Sequence, residues 1–175
     1  MSDTTAIADP ISERIIALLT EKPKSMTPTI ARLVGVPELE VIRRLPGGAS
    51  VELDIAQWEA IIREFEHFGK VHVICNNGTV VLESFGTFGN FSTWGEFFNV
   101  QTKIDMHIRH AELGAVFAVE KPGHMDGQRT LSVQFFTREG SSAFKVFFSF
   151  GGKAPSAELE EKFAALRDTY RLARH

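Results

Sequence analysis

Thr130-Leu-Ser-Val-Gln-Phe-Phe-Thr137 and Ala143-Phe-Lys-Val-Phe-Phe-Ser-Phe150, joined through Arg138-Glu-Gly-Ser141, decide the class of fold. In the first run Leu131, Val133 and Phe135 alternate with Ser132, Gln134 and Phe136; in the second Phe144, Val146, Phe148 and Phe150 alternate with Lys145, Phe147 and Ser149. Successive side chains of a strand point to opposite faces, so each run is a strand with one strongly apolar face. The Glu-Gly-Ser turn between them makes the pair an antiparallel hairpin. Phe136 and Phe147 fall on the second face, which predicts that something covers that face as well.

Outward from this hairpin the period of two recurs upstream. Val71-His-Val-Ile-Cys75 and Thr79-Val-Val-Leu82 flank Asn76-Asn-Gly78, a turn whose residues accept positive φ at low cost. Leu113 to Glu120 reads as another strand, as does 102 to 109 within Gln101-Thr-Lys-Ile-Asp-Met-His-Ile-Arg-His110. Before residue 70 the period is helical. Ile11, Ile15, Leu18 and Leu19 form one stripe, and Thr27-Pro28 reads as an N-cap followed by a first-turn proline. Asp54 caps a helix carrying Ile55, Trp58, Ile61, Ile62 and Phe65 that stops at Gly69, and Pro46-Gly-Gly48 is a hinge within this portion. After the sheet, Pro155-Ser156 opens a helix with Leu159, Phe163, Leu166 and Tyr170 at helical spacing. The expectation is α+β: N-terminal helices over about 10–69, then an antiparallel β-sheet of hairpins with a C-terminal helix packed on it over about 70–173, in one domain spanning 1–175.

A formal net charge of -3 over 175 residues gives no global basic field, so bulk attraction to nucleic acid or to an anionic membrane is not expected. Apolar runs are far shorter than a membrane span, and Met1 to Pro10 is polar with no basic lead into an apolar stretch, which points to the cytoplasm. The single cysteine, Cys75, excludes an internal disulfide and a Cys-rich metal site; its strand parity with Val71 and Val73 predicts burial. GxSxG, P-loop, GxGxxG and HExxH patterns are absent, so neither a familiar nucleophile nor a zinc site is announced. Thr27 to Leu45 resembles a helix-turn-helix around Val34-Gly-Val36, a DNA-binding alternative, but its second helix opens with Glu38 and Glu40, which would meet phosphate.

The strand 102–109 carries the chemistry. Ile104, Met106 and Ile108 share one parity; Lys103, Asp105, His107 and Arg109 share the other, so His107 stands on the polar side rather than in the core. Upstream, Ser84-Phe-Gly-Thr-Phe-Gly-Asn-Phe-Ser-Thr-Trp-Gly-Glu-Phe-Phe98 spaces aromatic residues among glycines in a way no regular core strand needs. A projecting imidazole, a nearby cation and a loose aromatic segment suit a large, flat, anionic ligand. The same residues also read as a solvated charge beside Asp105 and an aromatic cluster given to core or to a dimer contact.

From about Ile11 to the last helix the chain resembles the HutX/ChuX family of cytosolic haem-utilisation proteins. The resemblance is carried by the order and spacing of Phe68 to Glu83, Gly86 to Asn99, Met106-His-Ile108 and Phe135 to Ser141. It implies haem binding inside the cell, transfer of haem to a haem-degrading enzyme, and a homodimer whose sheet resembles half of a HemS/ChuS-type carrier. His107 falls where the family has a haem-binding histidine, while a second family histidine falls at Asn76. His72 shares the parity of Asn76 but lies about 13 Å away along an extended strand, so it does not simply replace it. Haem iron is held by His, Cys, Met or Tyr. Cys75, Met106 and Tyr170 all read as core, which leaves histidine. The expected haem residues are His107 as iron ligand, Arg109 near the propionates, His72 or His110 as a distal group, and Phe91 with Trp94 against the ring; no catalytic residue is expected. An enzyme acting on haem or a linear tetrapyrrole is the alternative.

Overall fold

In a computed structural model, which describes residues 9–125 and 127–173, the hairpins join into two antiparallel sheets rather than the single one expected. The elements in chain order are α1 (Pro10–Glu21), α2 (Thr27–Val34), α3 (Glu38–Ile42), β1 (Ser50–Leu53), α4 (Trp58–Glu64), β2 (Val71–Asn76), β3 (Val81–Gly86), β4 (Phe91–Trp94), β5 (Phe97–Gln101), β6 (Asp105–Arg109), β7 (Leu113–Pro122), β8 (Arg129–Thr137), β9 (Ser142–Phe147) and α5 (Ala157–Tyr170). A six-stranded sheet runs β1-β7-β8-β9-β2-β3 and a three-stranded sheet runs β4-β5-β6. The architecture is α+β, as the period change at residue 70 implies.

The β8–β9 hairpin closes where Thr137 N–H donates to Ser141 C=O, with Gly140 at φ +83° completing the turn. Its two faces serve two cores. Val133, Phe135, Phe144, Val146 and Phe148 pack with Ile61, Ile62 and Phe65 of the α4 region, with Phe163 and Leu166 of α5, and with Phe98, Val100 and Ile108 of the small sheet. On the other face Ala115, Phe117, Val119 and Phe136 meet Ile15, Leu19, Ile30, Leu39, Val41 and Ile42 of α1–α3. The N-terminal helices are thus the cover that Phe136 requires. Gly114 marks a bulge at the start of β7; a Cβ there would stand 2.6 Å from Arg138 Cα, so only glycine fits.

Several sequence expectations are corrected. The helical portion contains a strand: β1 pairs with β7, with Leu53 opposite Val116. Thr27 is the first residue of α2 rather than its N-cap, which is Met26, and its hydroxyl donates to the buried Glu38 carboxylate. Asp54 does cap, accepting from Ala56 N–H. The strand beyond the Asn-Asn-Gly turn starts at Val81, and Asn76 Oδ1 accepts from Gly78 N–H, so its amide serves the turn. β9 ends at Phe147; past it the chain leaves the pleat and Phe150 lies over His72 rather than in the Phe148 core. Cys75 is half-buried, and burial pushes its thiol pKa up. Residues 84–98 hold regular strand, β4 and β5, with Phe88 and Phe98 in the core.

The helix-turn-helix reading fails on packing. α3 is five residues long, and Glu38, Leu39, Val41 and Ile42 are buried against the sheet. It has no free face to enter a major groove.

Candidate functional site

The small sheet arises from two short connections. Gly95-Glu96 turns β4 back on β5, pairing Trp94 with Phe97, and β6 pairs with β5 so that Asn99 faces His107 and Phe97 faces Arg109. Strict alternation then sorts the side chains. Phe91, Phe98, Val100, Met106 and Ile108 turn inward against the α4 side of the core. Trp94, Ser92, Phe97, Asn99, His107 and Arg109 share the outward face.

On that face His107 is the reactive group, its side chain 58% exposed. Its Nδ1 lies 2.7 Å from Asn99 Oδ1, and Asn99 Nδ2 donates to Ser92 Oγ at 3.1 Å. Asp105 Oδ1 stands 3.8 Å from the other ring nitrogen, Nε2, beyond hydrogen-bond length. The Phe97 ring meets the imidazole edge-on at 6.5 Å, and the Arg109 guanidinium lies 5.3 Å over the same phenyl ring. Arg109 also pairs with Glu96 through Nε at 3.2 Å. Both partners are exposed, so the pair contributes about 0–1 kcal/mol and a bound carboxylate can displace it. Trp94, 80% exposed at the hairpin tip, closes the row. The result is a flat, open face with one outward imidazole nitrogen, two aromatic rings and one cation. That donor set would suit a planar, metal-bearing macrocycle with acidic groups, to which His107 would offer a nitrogen and Arg109 a cation.

Of the six residues expected from sequence, the structure brings together His107, Arg109 and Trp94, and separates the rest. Phe91 has the opposite strand parity: it stacks on Phe98 and lies under the Arg63 guanidinium at 5.1 Å. His110 follows β6 in a 3-10 turn and stacks on Trp58 at 4.8 Å, on the α4 side. His72 belongs to the large sheet, stacked on Phe85 at 4.2 Å with Nε2 3.0 Å from Glu83 Oε2. None of these three reaches the His107 face. Asn99 was missed, and Phe97 was read only as one of several aromatic residues in 84–98; pairing 97–101 with 105–109 as neighbouring strands would have singled out both.

A depression of about 410 Å³ opens on the α4 side, lined by Ala56, Gln57, Glu59, Ala60 and Arg63. Its charged groups are already paired, Arg63 with Glu59 at 2.8 Å. Among the described residues no three His, Cys, Asp or Glu converge as a metal site, and no helix is long and apolar enough to cross a membrane. His175, unassigned from sequence, lies outside the described residues.

Comparison with known proteins adds to the geometry. The profile of the haem-utilisation ChuX/HutX family matches residues 51–166. A protein from Agrobacterium tumefaciens superposes with a TM-score of 0.77 at 30% identity, covering 92% of each chain. The structure of the haem-binding protein ChuX gives 0.77 at 22% identity, over 89% of this chain and 97% of its own. The haem-degrading enzyme ChuS of Escherichia coli O157:H7 gives 0.77 at 20% identity; 94% of this chain is covered, but only 47% of that one. At those last two identities the likeness is one of fold. No curated protein sequence matches.

Proposed function

The chain belongs to the haem-utilisation ChuX/HutX family, and from that premise we propose that it is a haem carrier whose iron ligand is His107. One observation carries the reading: Nδ1 of His107 is engaged by Asn99, which leaves Nε2 outward on a face flanked by Trp94, Phe97 and Arg109. Haem, when bound, would supply the iron that this nitrogen would hold. The chain's own residues supply the rest: Phe97 and Trp94 offer apolar surface to a planar ring, and Arg109 exchanges Glu96 for a propionate. A single axial imidazole on an open face holds haem while leaving it transferable to a haem-degrading enzyme. The unit is taken as one domain, 1–175, working in the cytoplasm.

The reading extends to a homodimer. An open face covers one side of a macrocycle only, and the ChuS chain is about twice the length this fold spans. The surface for a second copy is the β3 edge with its flanks, where Val80, Val81, Leu82 and Phe85 are exposed. Leu82→Lys is expected to convert dimer to monomer in sedimentation equilibrium at micromolar protein; an unchanged mass would remove this edge from the interface.

The primary test is an absorbance titration of the apo-protein with ferric haem beside His107→Ala. A saturable, stoichiometric Soret band that the variant weakens or shifts is the expected result. A wild-type titration indistinguishable from that of an unrelated protein would end the haem reading.

A further inference from the structure

Asn99 is buried, although it lies on the open face of the small sheet beside the exposed His107. It forms the middle of a cross-strand rung, Ser92 opposite Asn99 and Asn99 opposite His107. The hydrogen bonds along this rung have a direction. Ser92 donates its hydroxyl to Gln101 Oε1 at 3.2 Å, which can only accept, so the Ser92 oxygen is left to accept from Asn99 Nδ2. With its amide nitrogen committed there, Asn99 presents Oδ1 to His107, and that oxygen also only accepts. The proton of a neutral imidazole must then sit on Nδ1, and the lone pair on Nε2, the outward nitrogen.

We propose that Asn99 is the positioning residue of the His107 site: through Ser92 and Gln101 it fixes the imidazole as the Nδ1–H tautomer and sets its ring plane, so that Nε2 meets a metal ready to bind. The inference rests on the haem reading above. Ligating histidines commonly donate their second nitrogen to a protein oxygen, and losing that partner typically costs about 10- to 100-fold in metal affinity. Asn99 differs from a carboxylate in the same place because its oxygen carries no full charge. It orients His107 without strongly raising the basicity of the ring, which keeps the iron–nitrogen bond moderate, as release to an acceptor requires.

The test has a ligand-free arm and a ligand-bound arm. Nitrogen-15 NMR of the apo-protein at pH about 9, above the usual histidine range, reads the tautomer directly. Wild type is expected to show a protonated Nδ1, and Asn99→Leu a mixture or the Nε2–H form; a wild-type ring protonated on Nε2 would overturn the proposal whatever haem does. With haem, Asn99→Leu is expected to weaken binding by about 10- to 100-fold. Asn99→Asp, which keeps the acceptor and adds charge, is expected to restore binding and to raise the iron–histidine stretching frequency of the ferrous protein in resonance Raman. If Asn99 only stabilises the sheet, both variants melt lower while affinity and stretching frequency stay at wild-type values, and the assignment falls. Failure of wild type itself to bind haem is a failure of the function, read in a different sample from the Asn99 variants.

Discussion

His107 and His72 are both strand histidines beside an aromatic ring, yet they are prepared for different things. His72 is wedged between Phe85 and Phe147, its side chain 14% exposed, and spends Nε2 on Glu83. His107 spends Nδ1 on a buried amide and keeps Nε2 at the surface. Strand parity alone finds that His107 faces outward; it cannot say which nitrogen is committed, because that depends on a partner eight positions away on a neighbouring strand. The same limit explains Phe91. Its type suits a ring wall, and only the pairing of Trp94 with Phe97 shows that 91 and 94 point oppositely. Trp94 gives a clean separation of roles, since its exposure leaves little for folding to lose. Trp94→Ala is expected to change stability by no more than about 0.5 kcal/mol in urea denaturation, while haem binds several-fold more weakly in the Soret titration.

At the scale of elements, the long contiguous alternations were legible: β2, β7 and β8 appear close to their expected ranges, β9 appears but ends at Phe147 instead of Phe150, and α5 follows its stripe and its Ser156 cap. β1 was not legible because four residues between helical segments carry too little period to register. β4 and β5 were hidden because one face of the small sheet is left open, so its aromatic residues appear on both parities. Equally illegible was the pin that holds the N-terminal helices on the sheet. Glu38 of α3 and Lys145 of β9, both buried, form an ion pair joined by the Thr27 hydroxyl. Removing one member strands the other charge away from water. Lys145→Ala is expected to cost about 3–5 kcal/mol in urea denaturation, whereas the double change Glu38→Leu with Lys145→Met restores most of it; equal loss in both would show that packing, not charge, sets the effect.

Across the whole molecule the segment that follows α5 returns to β1. Tyr170 C=O accepts from Asp54 N–H at 2.8 Å, Leu172 N–H donates to Glu52 C=O at 2.9 Å, and Arg171 bridges to Leu53. The Tyr170 phenol reaches Glu64 at 3.2 Å; burial first, then this carboxylate, push its pKa upward. A phenol whose folded pKa exceeds its unfolded value contributes stability that is intact below about pH 10 and is lost as pH rises through the folded value. Denaturation midpoints are therefore expected to fall in that alkaline window, and to fall less steeply in Tyr170→Phe.

The closure at β1 has a consequence for assembly. The six-stranded sheet has two outer strands, β1 and β3, and 171–172 runs along the first while, among the described residues, β3 pairs with β2 alone. In the language of polymer chemistry this sheet is monofunctional. Strand addition to it would have one reactive end to use, the first coupling through β3 would consume that end, and growth along the six-stranded sheet would stop at two instead of running on into a fibre.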